Sequence, residues 1–135
     1  MIPINMPKVG EEEAQAVLEV IRRGPLTNAL GAGPKVLEFE RKYAEFSGVK
    51  RAIAVNTGTA ALHAAILAVG VKPGDEVIAP SFTFVATAEA VVLAGAKPVF
   101  VDIDPETYTI SPQETEKAIT KKTKAILPVD LYGYS

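Results

Sequence analysis

Residues 52–62 read Ala-Ile-Ala-Val-Asn-Thr-Gly-Thr-Ala-Ala-Leu. An apolar run, a polar turn around Gly58 and the opening of an apolar helix follow one another directly. The pattern predicts a strand over 52–55 that feeds a helix over 59–69. Downstream the alternation repeats, with strands expected over 76–79, 98–101 and 125–129 and helices over 84–93 and 112–119. Gly70 and Gly95 fall where helix C-termini favour a left-handed residue. Ser111, Pro112 and Glu114 spell a capping box with proline at the first helical position. Four short, nearly all-apolar strands separated by helices of about ten residues define βαβ units. The expected class is α/β, a mostly parallel sheet with helices on both faces.

Upstream, Pro3 and Pro7 make the first residues an extended arm. Glu11, Glu12 and Glu13 then open a helix where negative charge suits the dipole, and Ala14, Val17, Leu18 and Ile21 give it one apolar face. Gly24-Pro25 stops that helix and begins a Gly/Pro-rich loop over 24–34. A second helix follows Pro34, carries Val36, Phe39, Tyr43 and Phe46 on one side, and ends at Gly48. The organisation expected is an arm, helix and loop over 1–33 and an α/β segment over 34–135.

Composition narrows the function classes. The 135 residues hold 14 Lys+Arg against 16 Asp+Glu, a net charge of −2, which lacks the basic stripe of a nucleic-acid binder. There is no cysteine, hence no disulfide framework and no thiol nucleophile. Apolar stretches break well short of the ~20 residues a membrane span requires, and the N-terminus has no signal-peptide pattern. A cytoplasmic chain with no membrane or nucleic-acid partner is the expectation.

The chemistry concentrates at two strand-to-helix turns. In a parallel sheet such turns lie at the carboxyl ends of the strands, where ligands bind. At the first, backbone N–H groups at the helix start, the bare Gly58 and the hydroxyls of Thr57 and Thr59 make an anion cradle. The same residues also serve as an ordinary N-cap, through Asn56 or Thr57. The Gly-Lys-Ser/Thr ending of a P-loop is missing. At the second turn, Phe82 and Phe84 offer rings to a planar ligand or to the core.

Other features read as structural. Gly31-Ala32-Gly33 lacks the preceding strand and the third glycine of a dinucleotide fingerprint. Asp102 and Asp104 have no neighbouring ligand partners and read as a strand-end turn, so no metal site is assigned. His63 sits in an apolar helix, and Lys121, Lys122 and Lys124 form a solvated connector.

Taken in order, these residues resemble the DegT/DnrJ/StrS family of sugar aminotransferases. The matching blocks are Ile2-Pro3, Gly24-Pro25-Leu26-Thr27 with Gly31, Glu38-Phe39-Glu40 and residues 56–62. Further blocks are 73–77, 80–87, 95–104, and Pro128-Val129 with Leu131-Tyr132-Gly133. The resemblance implies part of the large domain of a fold-type-I transferase that uses pyridoxal 5′-phosphate. It implies that Gly58, Thr59 and Thr57 hold the cofactor phosphate and that Phe84, rather than Phe82, lies against the pyridine ring. It also implies a homo-oligomer in which a partner subunit completes each site.

The family's acid for the pyridine nitrogen and its cofactor-carrying lysine have no counterpart here. None of the lysines from Lys8 to Lys124 matches the second and Asp130 does not match the first; the expectation is that the catalytic-lysine region and the smaller domain are not part of these residues. No catalytic residue is therefore assigned. The expected function is the N-terminal part of an aminotransferase for nucleotide-linked keto sugars, inactive alone unless a complementing C-terminal chain supplies the rest. The alternatives are a non-catalytic interaction or oligomerisation fragment and a small phosphate- or nucleotide-binding α/β module.

Overall fold

The structure, a computed structural model, describes residues 6–24, 26 and 33–135. The chain divides into two compact units, residues 1–54 and 55–135. The expected arm over residues 1–5 and most of the 24–34 loop lie outside the described residues.

The first unit holds two helices, α1 (Glu11–Arg23) and α2 (Pro34–Ser47). The α1 N-terminus is closed by Glu13, whose carboxylate accepts the Gly10 N–H at 2.7 Å. Both helices stop where predicted: Gly24 and Gly48 have φ of 99° and 67°, a region that costs other residues a Cβ clash. No described residue of α1 is buried, and Lys35 at the start of α2 reaches Glu19 of α1 at 3.7 Å. Phe46 of α2 is 89% exposed.

The second unit runs α3 (Gly58–Ala68), β1 (Glu76–Pro80), α4 (Ala86–Leu93), β2 (Lys97–Val101), α5 (Pro112–Ala118) and β3 (Thr123–Ile126). A 3₁₀ turn over Leu131–Gly133 follows. The strands form a parallel sheet in the order β2-β1-β3. The chain therefore steps from β1 to one side, then crosses back to the other. α4 packs against β1 and β2, and α5 packs against β2. Every residue of β1 is buried, whereas β2 and β3 are partly exposed edges. Val77 packs in one cluster with Ile66 and Val71 and with Ala90, Val91, Ala94 and Ala96 in and around α4.

Three expectations need correction. Residues 52–55 form no ladder with any described strand. Their apolar composition suits a strand, but strand identity requires a paired neighbour, and the Ala54 N–H donates instead to the Glu40 carboxylate at 2.9 Å. The sheet of the described residues thus has three strands rather than four. The capping box at α5 is half-built: Ser111 Oγ accepts the Glu114 N–H at 3.3 Å, but Glu114 turns to Lys117 at 2.7 Å. The Ser111 N–H has already been taken by the Asp102 carbonyl, so the reciprocal bond has no donor left. The last strand begins and ends earlier than its apolar run suggested. Leu127 still donates to the Ile78 carbonyl at 2.8 Å, and Pro128 then ends pairing because it lacks a donor.

At the opposite end of the sheet, Glu76 is nearly buried and accepts the Thr120 hydroxyl at 2.7 Å. That hydrogen bond holds its pKa below the ordinary value against the opposing effect of burial, with help from Lys97 and Lys122. The ionised form is thus favoured in the fold. Its stabilisation is complete above the ordinary glutamate range and is lost as pH falls through the lowered value. Denaturation curves across the acid range should show a smaller loss of stability for Glu76→Gln than for the unsubstituted chain. Parallel acid limbs would remove Glu76 as a source of the pH dependence.

Candidate functional site

The second unit carries an open depression of about 710 Å³ beyond the carboxyl ends of β1 and β3. It lies where the strand order reverses, the position at which open α/β sheets bind ligands. One wall is the first two turns of α3 from Gly58 to Ala65, another is the Thr83–Thr87 stretch leading into α4, and Val129 and Leu131 close the third.

The α3 wall begins with a cap. Thr57 Oγ1 accepts the Ala60 N–H at 3.0 Å, and the Thr57 carbonyl accepts from Ala61. Among the described residues no acceptor meets the N–H groups of Gly58 or Thr59, the first two of the helix. A Cβ built on Gly58 would find no atom within 4 Å, so the space beside these donors is open. Two free N–H groups, the adjacent Thr59 hydroxyl and the positive end of an 11-residue helix suit an anion. A phosphate group fits that donor set.

The other wall sorts the two phenylalanines. Phe82 leans on Tyr108, with ring centroids 6.1 Å apart, and does not line the depression. Phe84 lines it and is 75% exposed. A large apolar ring left uncovered beside anion donors is chemically matched to a flat ligand that bears a phosphate.

The sequence-derived residues are thus separated. Gly58, Thr59 and Phe84 meet in one depression, while Thr57 faces the helix as its cap and is not part of the lining. Sequence reasoning passed over Val129, Leu131, Thr83 and Thr87 as site residues, although each falls inside a block quoted above. Among the described residues none with an ionisable side chain lines the depression. His63 is half-buried on α3 outside it. Asp102 and Asp104 are consumed by their own loop, Asp102 accepting from Ile103 N–H and Asp104 from Glu106 and Thr107 N–H. A smaller cleft of about 160 Å³ between α1 and α2 is lined by Glu19, Arg23, Lys35 and Glu38. Those charges pair with their neighbours: Arg23 with Glu19, and Lys35 with Glu38.

Free N–H groups at a helix start and an uncovered aromatic, gathered at the switch point of a parallel sheet, define an α/β protein with an open depression at the ligand-binding end of its sheet. The chain belongs to the DegT/DnrJ/EryC1/StrS aminotransferase family, whose sequence pattern matches residues 7–135. It is 59% identical over 101 residues to the UDP-2-acetamido-2-deoxy-3-oxo-D-glucuronate aminotransferase of Pseudomonas aeruginosa, covering 75% of this chain and 28% of that protein. It is 46% identical over 132 residues to the GDP-perosamine synthase of Caulobacter vibrioides, covering 98% of this chain and 35% of that one. The crystal structure of NtdA from Bacillus subtilis with bound cofactor PMP superposes with a TM-score of 0.82 at 39% identity, over 93% of this chain and 29% of that one. The chain spans about a third of the length of the relatives it matches.

Replacing the cap tests the first wall. Thr57→Ala should cost about 1 kcal/mol in chemical denaturation, the usual worth of a side-chain N-cap. Thr57→Ser, which keeps the acceptor, should restore most of it. Equal stability of Thr57→Ala and the unsubstituted chain would show that the cap bond contributes nothing.

Proposed function

We propose that this chain supplies the cofactor-holding part of a pyridoxal-phosphate-dependent aminotransferase whose substrate is a nucleotide-linked keto sugar. The observation that carries the reading is the meeting of Gly58, Thr59 and the uncovered Phe84 ring in one depression. In this reading the N–H groups of Gly58 and Thr59 and the Thr59 hydroxyl hold the phosphate. Phe84 covers one face of the pyridine ring, and Leu62, Val129 and Leu131 keep water from it. When bound, pyridoxal phosphate supplies an electron sink for the carbon that loses its proton. The nucleotide-linked keto sugar in the name of the Pseudomonas relative and the nucleotide sugar made by the Caulobacter one support the substrate class.

Proton transfer needs ionisable groups, and the lining has none among the described residues. In this reading the lysine and the ring-nitrogen acid of the reaction come from outside this lining, and the chain alone is not expected to transaminate. It follows that pyridoxal phosphate should bind reversibly, and that borohydride reduction followed by intact-mass analysis should find no stoichiometric lysine adduct. One specific adduct would identify a catalytic lysine within the chain and overturn the inactivity. Phe84→Ala should weaken cofactor binding roughly three- to tenfold, the worth of a stacked ring. Unchanged affinity would remove the stacking role.

The exposed apolar residues of the first unit favour self-association as well. Val17 and Ile21 on α1 and Phe39, Tyr43 and Phe46 on α2 all stand open to solvent, and surface of that kind marks an interaction face. Size-exclusion chromatography with light scattering should give a mass above the monomer, and a clean monomer would sink this part of the reading.

A further inference from the structure

Phe84 poses a mechanical problem. With 75% of its surface exposed, the ring gets little orientation from packing, so the backbone turn that carries it must set its aim. That turn, residues 83–87, is tied at both ends. The Thr87 N–H donates to the Phe84 carbonyl at 3.1 Å, and the hydroxyls of Thr83 and Thr87 meet at 2.9 Å. The residue before the turn, Phe82, is anchored separately on Tyr108.

The hydroxyl pair is not the default choice for a threonine in a helix's first turns. In α5, Thr115 donates to the carbonyl four residues back, Ser111, at 2.7 Å. Thr87 has the same spacing to Thr83 yet meets its hydroxyl rather than its carbonyl. Thr87 is 5% exposed and Thr83 is half-buried, so the bond is shielded from competing water. Both residues also line the depression that Phe84 overhangs.

We infer that Thr83 and Thr87 are positioning residues, whose hydroxyl bridge closes the turn between β1 and α4 and so fixes the Phe84 ring over the depression. The inference rests on the proposed role of Phe84 as the cofactor-stacking ring, and the experiment keeps the two apart. Amide hydrogen exchange and the ring contacts of Phe84 in NMR spectra are compared for the unsubstituted chain, Thr83→Val, Thr83→Ser and Thr87→Val. Pyridoxal-phosphate affinity is measured on the same samples.

Thr83→Val, isosteric at a half-buried position, should speed exchange at the Thr87 amide about fivefold and weaken or scatter the Phe84 ring contacts. Thr87→Val should do the same, and Thr83→Ser should restore the unsubstituted behaviour. Cofactor affinity should fall and recover in step. Unchanged exchange and ring contacts in both valine variants would overturn the inference. So would faster exchange with the ring contacts and the affinity left intact. Failure of every sample, including the unsubstituted chain, to bind pyridoxal phosphate would count against the proposed function, while the exchange and ring-contact measurements would still decide the role of the bridge.

Discussion

Every ladder of the sheet passes through β1. Both β2 and β3 pair with it and neither pairs with the other, so the backbone of residues 76–80 is the common partner of the whole sheet. A strand in that position must be dry on both faces, and Val77, Ile78 and Ala79 are completely buried. Parallel pairing on both sides forces helical crossovers, and these bring the strand-to-helix turns to one end. The depression exists because β1 ends there with a neighbour on each side and the chain leaves it in one direction only. Glu76 marks the other end of the same strand, where a carboxylate is held by Thr120 and Lys97 rather than offered to a ligand.

The two ends of β1 therefore have different chemistry. At the amino end the charged groups satisfy one another. At the carboxyl end the lining has hydroxyls, bare N–H groups and apolar side chains, and no charged side chain among the described residues. Those groups suit an anion and a flat ring, and none of the described lining residues has an ionisable side chain. Membership of an aminotransferase family and the lack of ionisable groups in this depression are compatible once binding and proton transfer are assigned to different stretches of a longer relative. About a third of such a relative's length is present here.

Much of this was legible in the sequence, for reasons that can be named. Gly24, Gly48, Gly70 and Gly95 all take the positive φ that their places after helices implied. Gly58 and Thr59 were visible because a helix start is a local pattern, and Phe84 because it sits within a few residues of a strand end. Three things were hidden. The segment 52–55 has strand composition, but pairing is a property of two segments and composition describes one. The third wall, Val129 and Leu131, comes from more than 60 residues beyond α3, and only the sheet order brings the two together. The faces of α3 and α4 were also unreadable, since both helices are apolar all round and periodicity could not separate buried Ile66 and Val91 from exposed Leu67 and Leu93. The hydroxyl bridge was within reach of sequence reading: Thr83 and Thr87 are spaced as neighbours on a helical turn.

The order in which β1 meets its partners also has a consequence for synthesis. A chain emerging from the ribosome has α3, β1, α4 and β2 in hand about thirty residues before the third wall exists, enough for one βαβ unit to pack. Until residues 123–131 follow, one side of β1 stays open and the phosphate-type turn at Gly58 faces a groove with a missing wall. The third side of the depression thus forms only after the sheet's first pair of strands is in hand, and a nascent chain carries the free N–H groups of Gly58 and Thr59 before Val129 and Leu131 stand beside them.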